Sequence, residues 1–369
     1  MINNYRILIC PLNWGLGHAS RDVYLISCLL DRKYEVIIGG EGASMEFLKA
    51  EFPNLKYVHL PSFQIRYSLK CRAWIMIVLL LPIFFAWVIR ENRFLQQIIR
   101  EYNIDLVISD TRYGLWSSLI PSIIITHQLS FRLPRLLKPL QYIIYRINLK
   151  ALKKFSQCWI PDFPGYPNLS GDLAHKYKLP DNALFIGPLS KFRRSDIPYL
   201  SKKGFEIAAV LSGPEPQRSL LEKIITEQLV ENHRNAIIIC GLPGKKISET
   251  LTSSITRVSC LAGDELGSVL KFSKYIFCRS GYTSIMDLLT IGKSAMLIPT
   301  PGQTEQEYLA LYMERQGLFQ SVRQKHFNLE EAISRLDKFV PDMLFNKKHD
   351  LLDKALEGLP SLIERIKHG

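Results

Sequence analysis

Several features of metal-binding and secreted proteins are missing from this chain of 369 residues. It has seven cysteines but no Cys-x-x-Cys pair, and most of them stand in apolar, strand-like runs, as buried free thiols do. No Asp-x-Asp pair occurs, so a carboxylate-bound metal is not supported. The first residues lack the basic, apolar and small-residue segments of a signal peptide. We therefore expect no metal, no disulfide framework and a cytoplasmic location.

Acidic residues are scarce in the first half of the chain. The formal net charge is +13, and residues 1–190 hold 22 Lys and Arg against 13 Asp and Glu. Such an excess indicates an anionic partner: a lipid surface, a nucleic acid or a phosphorylated substrate. No known nucleic-acid motif is present and the aromatic residues stand in apolar runs, so nucleic acid is the least favoured of the three.

Apolar, strand-like runs alternate with helical patterns almost from end to end. Because these runs are continuous rather than alternating, they predict parallel strands covered on both faces, in two open α/β sheets. A basic segment with prolines and glycines, 187–204, indicates the boundary. We expect an N-terminal domain over 1–187, a C-terminal domain over 188–345 and a helical tail over 346–369. The predicted strands are RILIC, YEVIIGG, KYVHL, DLVISD, SIIITH, CWIPD, EIAAVLSG, NAIIIC, TRVSCL, KYIFC and SAMLIP.

Two segments of the first half indicate a membrane. Residues 73–89 form a run of 17 without a polar side chain, for which three alternatives stay open: a transmembrane helix, a helix dipping into one leaflet, and a buried core helix. Residues 131–155 carry seven basic residues and no acid, with apolar residues at roughly helical spacing. This pattern is typical either of a solvated basic helix face or of attraction to anionic headgroups, and the two segments together favour a peripheral membrane protein.

A glycine-rich turn with a histidine follows the first strand, in GLGHAS at 15–20. It nearly matches a dinucleotide fingerprint, and Glu41 stands where a ribose-binding acid would, so a nicotinamide enzyme stays open. His18 would crowd a pyrophosphate there, and it suits a catalytic base or a ligand for a substrate hydroxyl. Asp110 and His127 also follow predicted strands, so we expect both to face the same crevice as His18; two roles stay open for Asp110, that of an orienter for the histidine and that of a plain turn or capping residue.

The second half has three strand-to-helix loops at the edge where open α/β sheets bind ligands. The loop of Arg279, Ser280 and Gly281 starts a helix whose free N–H groups, with the Thr283 hydroxyl, make an anion site of the diphosphate kind. Asp287, further along that helix, is placed for a ribose hydroxyl. In the second loop, hydrogen-bonding side chains from Gln303 onward suit the hydroxyls of a sugar. The third loop is LSGPEPQRS at 211–219.

These residues resemble the GT-B glycosyltransferases, specifically family 28, the group of the peptidoglycan-lipid N-acetylglucosaminyltransferase. The resemblance is most specific in CRSGYTSIMDLLTIGKSAMLIPTPGQTEQEYLA, residues 278–310, and extends more weakly over nearly the whole chain. The Arg-Ser-Gly start, the acid nine residues after Cys278, the proline loop and the Gln-Glu-Tyr run fall in the family's order.

The resemblance assigns roles to these residues. It implies that His18 is the base on the acceptor side, that Asp287 takes the donor ribose, and that Gln306 and Glu307 bind the donor sugar. The residues it assigns to the donor diphosphate are Ser212, Gly213, Ser280, Gly281, Tyr282 and Thr283.

The resemblance also implies a fold and a reaction. It implies two Rossmann-like domains facing across a cleft, a C-terminal helix crossing back, a UDP-sugar donor, no cofactor, and metal-independent inversion by direct displacement. The expected acceptor is a lipid-linked or other glycan, reached at the inner face of the plasma membrane. A sugar-nucleotide hydrolase or epimerase of the same fold stays open as the alternative.

Overall fold

The computed structural model describes residues 5–63, 73–133, 135–194, 197, 204–242, 247–261, 263–342 and 350–367. Part of the predicted boundary segment, 195–196 and 198–203, and the start of the predicted tail, 346–349, lie outside these ranges. The chain divides into two compact units, the first made of Met1–Leu189 with Lys348–Gly369 and the second of Ser190–Lys347. The C-terminal segment therefore packs as part of the first unit.

The first unit is built on a seven-stranded parallel sheet in the order β3-β2-β1-β4-β5-β6-β7. Its strands are β1 Arg6–Cys10, β2 Glu35–Gly40, β3 Lys56–His59, β4 Leu106–Asp110, β5 Ser122–Ile125, β6 Gln157–Ile160 and β7 Ala183–Phe185. Its helices are α1 Leu16–Asp31, α2 Gly42–Glu51, α3 Ala73–Tyr102, α4 Gln141–Leu152 and α5 Asp172–His175, with α11 Leu351–Glu357 and α12 Leu359–Lys367 from the end of the chain.

The two faces of this sheet are covered by two separate hydrophobic clusters. In β1, Ile7 and Ile9 enter one cluster, and Leu8 and Cys10 enter the other. Side chains of a strand alternate between faces, so a continuous apolar run is what a doubly covered strand requires. Helices α11 and α12 complete the first cluster with Leu352, Leu356, Leu359 and Ile363.

The second unit repeats this plan with the sheet order β10-β11-β9-β8-β12-β13-β14, parallel except for the β10–β11 pair. Its strands are β8 Ile207–Val210, β9 Ala236–Ile239, β10 Ser248–Thr252, β11 Ile255–Val258, β12 Tyr275–Cys278, β13 Met296–Leu297 and β14 Gln320–Ser321. Its helices are α6 Gln217–Glu231, α7 Gly263–Phe272, α8 Tyr282–Thr290, α9 Thr304–Arg315 and α10 Leu329–Asp337. The prediction of two α/β units with parallel sheets is confirmed.

Helix α3 contains the long apolar run. No helix in the described part of the chain is long and apolar enough to span a membrane. The side chains of residues 73–81 lie outside the described part, but Ile83, Phe85 and Ile89 are 56%, 53% and 58% exposed. The buried-core alternative is therefore wrong for this stretch of the run. Further along, Leu95 and Ile98 anchor α3 in the sheet's second cluster.

Helix α4 turns a mixed apolar and basic face outward. Its buried side chains include the polar Gln141 and Asn148, whereas Ile143 and Ile147 are exposed beside Arg146. A solvated basic face would be expected to bury its isoleucines, and here they share the exposed face with the cations. The helix is thus present as predicted, with Leu152 buried and Ile143 and Ile147 on the exposed face.

Candidate active site

The loop between β1 and α1 brings His18 to the carboxyl edge of the first sheet. Gly15, the residue before the helix, has φ 128° and ψ 170°, a conformation that a residue with a Cβ rarely adopts. No atom lies within 4 Å of the position where its Cβ would stand. The glycine is therefore required by the backbone turn rather than by crowding, and the turn places His18 in the first turn of α1.

His18 pairs with Asp110, the last residue of β4. Its Nδ1 lies 3.0 Å from Oδ1 of Asp110, and the side-chain exposure is 21% for the histidine and 0% for the aspartate. The imidazole therefore reaches solvent while its orienting partner stays fully buried. This is the geometry expected of a histidine held by a carboxylate through one ring nitrogen, with Nε2 left for chemistry.

Arg21 completes the group from one turn further along α1. Its Nε donates to Oδ2 of Asp110 at 2.7 Å and its Nη2 to Oδ1 of the same carboxylate, while Nη2 also lies 3.1 Å from Nδ1 of His18. The contact is a bidentate, charge-assisted pair, which fixes the plane of the carboxylate. Sequence reasoning missed Arg21. The available signal was its spacing of three residues from His18, which puts both on one helix face.

Two buried carboxyl groups in this region have opposite protonation behaviour. Burial would raise the pKa of Asp110, but the charges of Arg21 and His18 and their hydrogen bonds hold that pKa below its usual range. Burial raises the pKa of Asp22 well above its usual range, and the negative charge of Asp110 raises it further. Neither carboxyl oxygen of Asp22 has a hydrogen-bond partner in the described part of the chain. The surroundings thus favour the charged form of Asp110 and the uncharged form of Asp22.

His127 follows β5, the next strand in the sheet. It is buried, and its Nδ1 lies 3.5 Å from Nη1 of Arg21. The structure therefore brings the three predicted residues of this unit together around one arginine. His18 is the most exposed of them, which makes it the one placed to touch a substrate.

An apolar band extends from the His18 loop to α3. Trp14, in that loop and 45% exposed, donates its indole N–H to the carbonyl of Phe63. The Phe63 ring in turn contacts the rings of Phe84 and Trp87 on α3, at centroid distances of 5.7 and 6.3 Å. We call this set, with the exposed Ile83 and Phe85, the apolar band. It places exposed apolar surface on the same loop as the candidate base.

In the second unit, the three predicted loops follow the neighbouring strands β8, β12 and β13 and contact one another. Arg279 joins them: its guanidinium donates to the carbonyls of Ile298 and Pro299 at 3.1 and 3.3 Å and to that of Gln217 at 2.7 Å. It is 1% exposed, and burial lowers its pKa to about 10. In this structure Arg279 holds the loops in place instead of facing a ligand.

The start of α8 has the form of an anion site. Gly281 precedes the helix in an extended conformation, and no side chain caps the first turn. Ser280 is fully buried and its hydroxyl donates to the Gln306 carbonyl at 2.8 Å, which ties this loop to α9. Tyr282 is buried, and Thr283 is partly exposed. The Ser280 hydroxyl is thus engaged within the protein rather than turned to a ligand.

The loop after β8 lies beside the loop after β13. Ser212 and Gly213 are exposed, and a Cβ on Gly213 would stand 3.4 Å from the Thr300 hydroxyl oxygen. That hydroxyl is buried and has no hydrogen-bond partner in the described ranges. Thr300 was not predicted as a site residue, and the sequence shows no signal for it apart from its place after a strand.

Asp287 lies one turn and a half into α8. It is 8% exposed and accepts a hydrogen bond of 2.6 Å from the hydroxyl of Ser190. Burial raises its pKa to about 6, in spite of the Lys191 charge and the Ser190 hydrogen bond. The hydrogen bond from Ser190 thus holds the carboxyl group in a fixed position.

The first turn of α9 folds back on its own loop. The Gln306 side-chain oxygen accepts from the N–H of Thr300 at 2.9 Å, and Glu307 accepts from the N–H of Gly302 at 3.0 Å. Gln303 precedes the helix and is partly exposed. These contacts hold the side chains of Gln306 and Glu307 at the carboxyl edge of β13. Among the described residues, no group of three His, Cys, Asp or Glu side chains is arranged to hold a metal ion.

The sequence of this chain is similar to those of known glycosyltransferases. Residues 208–366 match the model of the glycosyltransferase family 28 C-terminal domain. An uncharacterized glycosyltransferase of Methanosarcina acetivorans is 23% identical over 327 residues, covering 85% of this chain and 84% of that protein. A Lactobacillus johnsonii UDP-N-acetylglucosamine--N-acetylmuramyl-(pentapeptide) pyrophosphoryl-undecaprenol N-acetylglucosamine transferase is 28% identical over 121 residues, covering 29% of this chain and 32% of that protein.

Solved structures agree on the fold. The calicheamicin glycosyltransferase CalG4 superposes with a TM-score of 0.64 at 12% identity, covering 99% of each chain. At this identity the likeness speaks for the fold alone. The GT-B expectation is thereby confirmed.

Proposed function

Because the chain is a glycosyltransferase of the GT-B fold whose residues 208–366 are a family 28 C-terminal domain, we propose that it transfers a hexose or N-acetylhexosamine from a UDP-sugar to a lipid-linked or other glycan acceptor. The reaction proceeds with inversion, by direct displacement, and needs no metal. The observation that carries the proposal is the pairing of two features: an uncapped helix start in the second unit, and a buried carboxylate behind a solvent-reaching histidine in the first.

The second unit binds the donor. The N–H groups at the start of α8 receive the diphosphate, whose negative charge is stabilised there by the helix dipole. Ser212 and Gly213 are exposed at the neighbouring loop and complete this subsite. Asp287 accepts from the ribose, and Gln306 with Glu307 binds the transferred sugar. Arg279 serves this subsite indirectly, because it joins its own loop to carbonyls of the other two loops.

The first unit supplies the base. We assign the Nδ1 proton of His18 to the hydrogen bond with ionised Asp110, so Nε2 carries the lone pair. Nε2 removes the proton of the acceptor hydroxyl as its oxygen attacks the anomeric carbon of the donor. The bond from that carbon to the diphosphate breaks, and UDP leaves with the electron pair. Arg21 holds Asp110 in place throughout, since both carboxylate oxygens are bound to its guanidinium.

The apolar band supports a lipid-linked acceptor. It joins Trp14, on the loop of the candidate base, to exposed apolar residues of α3. A sugar-nucleotide hydrolase needs only water as its acceptor and has no use for such a surface. The printed name of the Lactobacillus johnsonii relative gives a pyrophosphoryl-undecaprenol acceptor for that protein. We extend this chemical class, a glycan on a lipid pyrophosphate, to the present chain.

The same surface supports peripheral contact with an anionic membrane, at the inner face of the plasma membrane. The positive charge of the first 190 residues attracts acidic headgroups, and the apolar residues of α3 enter the interface.

Thermal protection by nucleotides tests the donor assignment. UDP and UDP-sugars should raise the melting temperature of the full chain in the absence of divalent metal, because a ligand that binds the folded state stabilises it by mass action. NAD should have no effect. Protection by NAD and not by UDP would overturn the donor assignment and favour a nicotinamide enzyme.

A further inference from the structure

A separate cavity lies between α4 and the segment that leads into β7. Its volume is about 280 Å³, which approaches the lower end of small-molecule sites. All of its lining residues belong to the first unit, and none is among the residues assigned above to the donor, the base or the apolar band. The cavity is therefore separate from the donor site, the His18 group and the apolar band.

Three tyrosine rings form one wall of this cavity. The Tyr145 and Tyr177 centroids are 4.6 Å apart, and the Tyr142 ring lies 5.6 Å from that of Tyr177. Tyr145 is buried and its hydroxyl donates to the Lys178 carbonyl, which fixes the wall, whereas Tyr142 is 51% exposed at the rim. Such a surface offers flat apolar faces together with hydroxyl groups, which suits the ring or chain of a polyol.

The other lining residues include three cations and one acid. Lys153 pairs with Asp181 at 3.3 Å. Arg146 and Lys178 line the cavity and are exposed, and neither forms an ion pair within the described part of the chain. Two unpaired cations beside tyrosine hydroxyls suit a phosphate ester, which Arg binds through parallel N–H donors.

The position of the cavity on α4 favours a lipid as the source of that phosphate. Tyr142 and Arg146 are one turn apart at the rim, and Ile143 and Ile147 beside them are 55% and 52% exposed. A water-soluble phosphorylated polyol would account for the cavity but not for the exposed isoleucines. A membrane lipid accounts for both, because its headgroup enters the cavity while the isoleucines enter the interface.

We propose that this cavity binds the phosphorylated polyol headgroup of an anionic phospholipid, such as phosphatidylinositol or phosphatidylglycerol. The proposal rests on the peripheral membrane contact proposed above and adds a headgroup preference to it. General electrostatic attraction depends on the charge of the surface and does not distinguish lipids of equal charge. A cavity that contacts the headgroup does distinguish lipids of equal charge.

Vesicle cosedimentation with the full chain tests this preference. Phosphatidylcholine vesicles carry phosphatidylinositol or phosphatidylserine at the same molar fraction. We expect the wild-type chain to bind the phosphatidylinositol vesicles about tenfold more tightly, the equivalent of one charge-assisted hydrogen bond. Arg146→Gln should bring the ratio of the two affinities close to one.

Lys150→Gln is the matched control, because Lys150 is exposed on the same helix but does not line the cavity. It removes the same charge, so it should weaken binding to both vesicles by about fivefold and leave the ratio unchanged. Tyr177→Leu should lower the ratio without changing phosphatidylserine binding. Thermal melts verify that each variant is folded.

The outcomes separate the two proposals. A wild-type ratio near one, or equal effects of Arg146→Gln and Lys150→Gln on it, would overturn the headgroup site and leave the membrane contact standing. No binding to any anionic vesicle would overturn both. If free inositol phosphate binds the wild-type chain and Arg146→Gln abolishes this binding, while vesicles show no preference, the cavity takes a soluble ligand and the lipid assignment is wrong.

Discussion

At the residue scale, His18 is the proposed catalytic base of the first unit. His18→Ala should lower glycosyl transfer by about 10²- to 10⁴-fold, the usual contribution of a general base. UDP binding should be unchanged, because the proposed donor site lies in the other unit. Steady-state turnover and UDP calorimetry on the same preparation measure the two effects.

A second histidine serves as the control for that substitution. His59 is 72% exposed and pairs only with Glu41 at the surface, so His59→Ala should leave turnover as it is. Unchanged turnover in His18→Ala would remove His18 as the base. Loss of UDP binding in the same variant would show that the substitution disturbs more than the base.

Asp287 predicts a pH dependence of stability. Burial raises its pKa to about 6, against 3.8 for a free aspartate, so the folded state holds a proton that the unfolded state has released between these values. The contribution of Asp287 to the free energy of unfolding is therefore highest at low pH. It falls by about 3 kcal/mol at most as the pH rises toward 6. Asp287→Asn should be more stable than wild type at pH 8 and equal to it near pH 4. Parallel unfolding free energies of the two proteins across this range would contradict the prediction.

Sequence reasoning found the members of the His18 group but not how they are held. His18, Asp110 and His127 each follow a strand, and strand ends of a parallel sheet meet at one edge, so their convergence could be predicted. The bidentate contact of Arg21 depends on which face of α1 is turned to β4, and that is decided by packing. In the second unit, the burial of Arg279 could not be predicted from the sequence, because an arginine at the end of a strand is equally typical of a phosphate ligand.

At the scale of the loops and helices, one glycine keeps the donor loop after β8 in position. Gly241 has φ 65°, and a Cβ there would collide with the Leu211 carbonyl oxygen, directly before Ser212. Gly241→Ala should therefore destabilise the chain by more than the 1–2 kcal/mol, roughly, of left-handed backbone strain and should weaken UDP binding. Chemical denaturation and UDP calorimetry measure the two effects.

Gly302 is the control for this substitution. Its φ of 83° is also positive, but nothing lies within 4 Å of its Cβ position. Gly302→Ala should show the backbone strain alone. Equal destabilisation in the two variants would show that the collision with Leu211 has no part in positioning the loop.

The exposed part of α3 should affect the use of lipid-linked acceptors in vesicles but not the use of water-soluble acceptors. Phe85→Ser should weaken vesicle binding by about tenfold or more, because a phenylalanine side chain no longer enters the interface. Turnover of a lipid-linked acceptor in vesicles should fall with it, while a short-chain, water-soluble acceptor should be used as before. Phe272→Ser, at a phenylalanine of the second unit that is 44% exposed against 53% for Phe85, should change neither. A fall with the soluble acceptor would mean that Phe85 acts on catalysis and not through the membrane.

The long apolar runs predicted their strands, and the short edge strands escaped prediction. All eleven predicted runs contain a strand, and most of these strands are buried on both faces; β3, at the sheet edge, is the mostly exposed exception. β7, Ala183–Phe185, is apolar but only three residues long, and β14 has two residues; β10, Ser248–Thr252, is polar and mostly exposed, and it pairs antiparallel with β11 at the sheet edge. Edge strands bury too little side chain to show a pattern, so their pairing is decided by their neighbours.

At the scale of the whole molecule, the chain assigns its two tasks to two separate units. The basic excess lies in the first 190 residues, with the candidate base, the apolar band and the polyol cavity. The anion site lies in the second. The C-terminal helices α11 and α12 return to the core of the first unit, so that unit depends on the end of the chain for its packing.

The most direct test of the account is acceptor-dependent UDP release. The full chain is incubated with a panel of UDP-sugars, with and without a membrane lipid extract, and the products are identified by mass spectrometry. The account predicts UDP release from at least one donor only when the extract is present, with a lipid product heavier by one hexose or N-acetylhexosamine residue. Release of UDP and free sugar without the extract would contradict it and make the protein a sugar-nucleotide hydrolase.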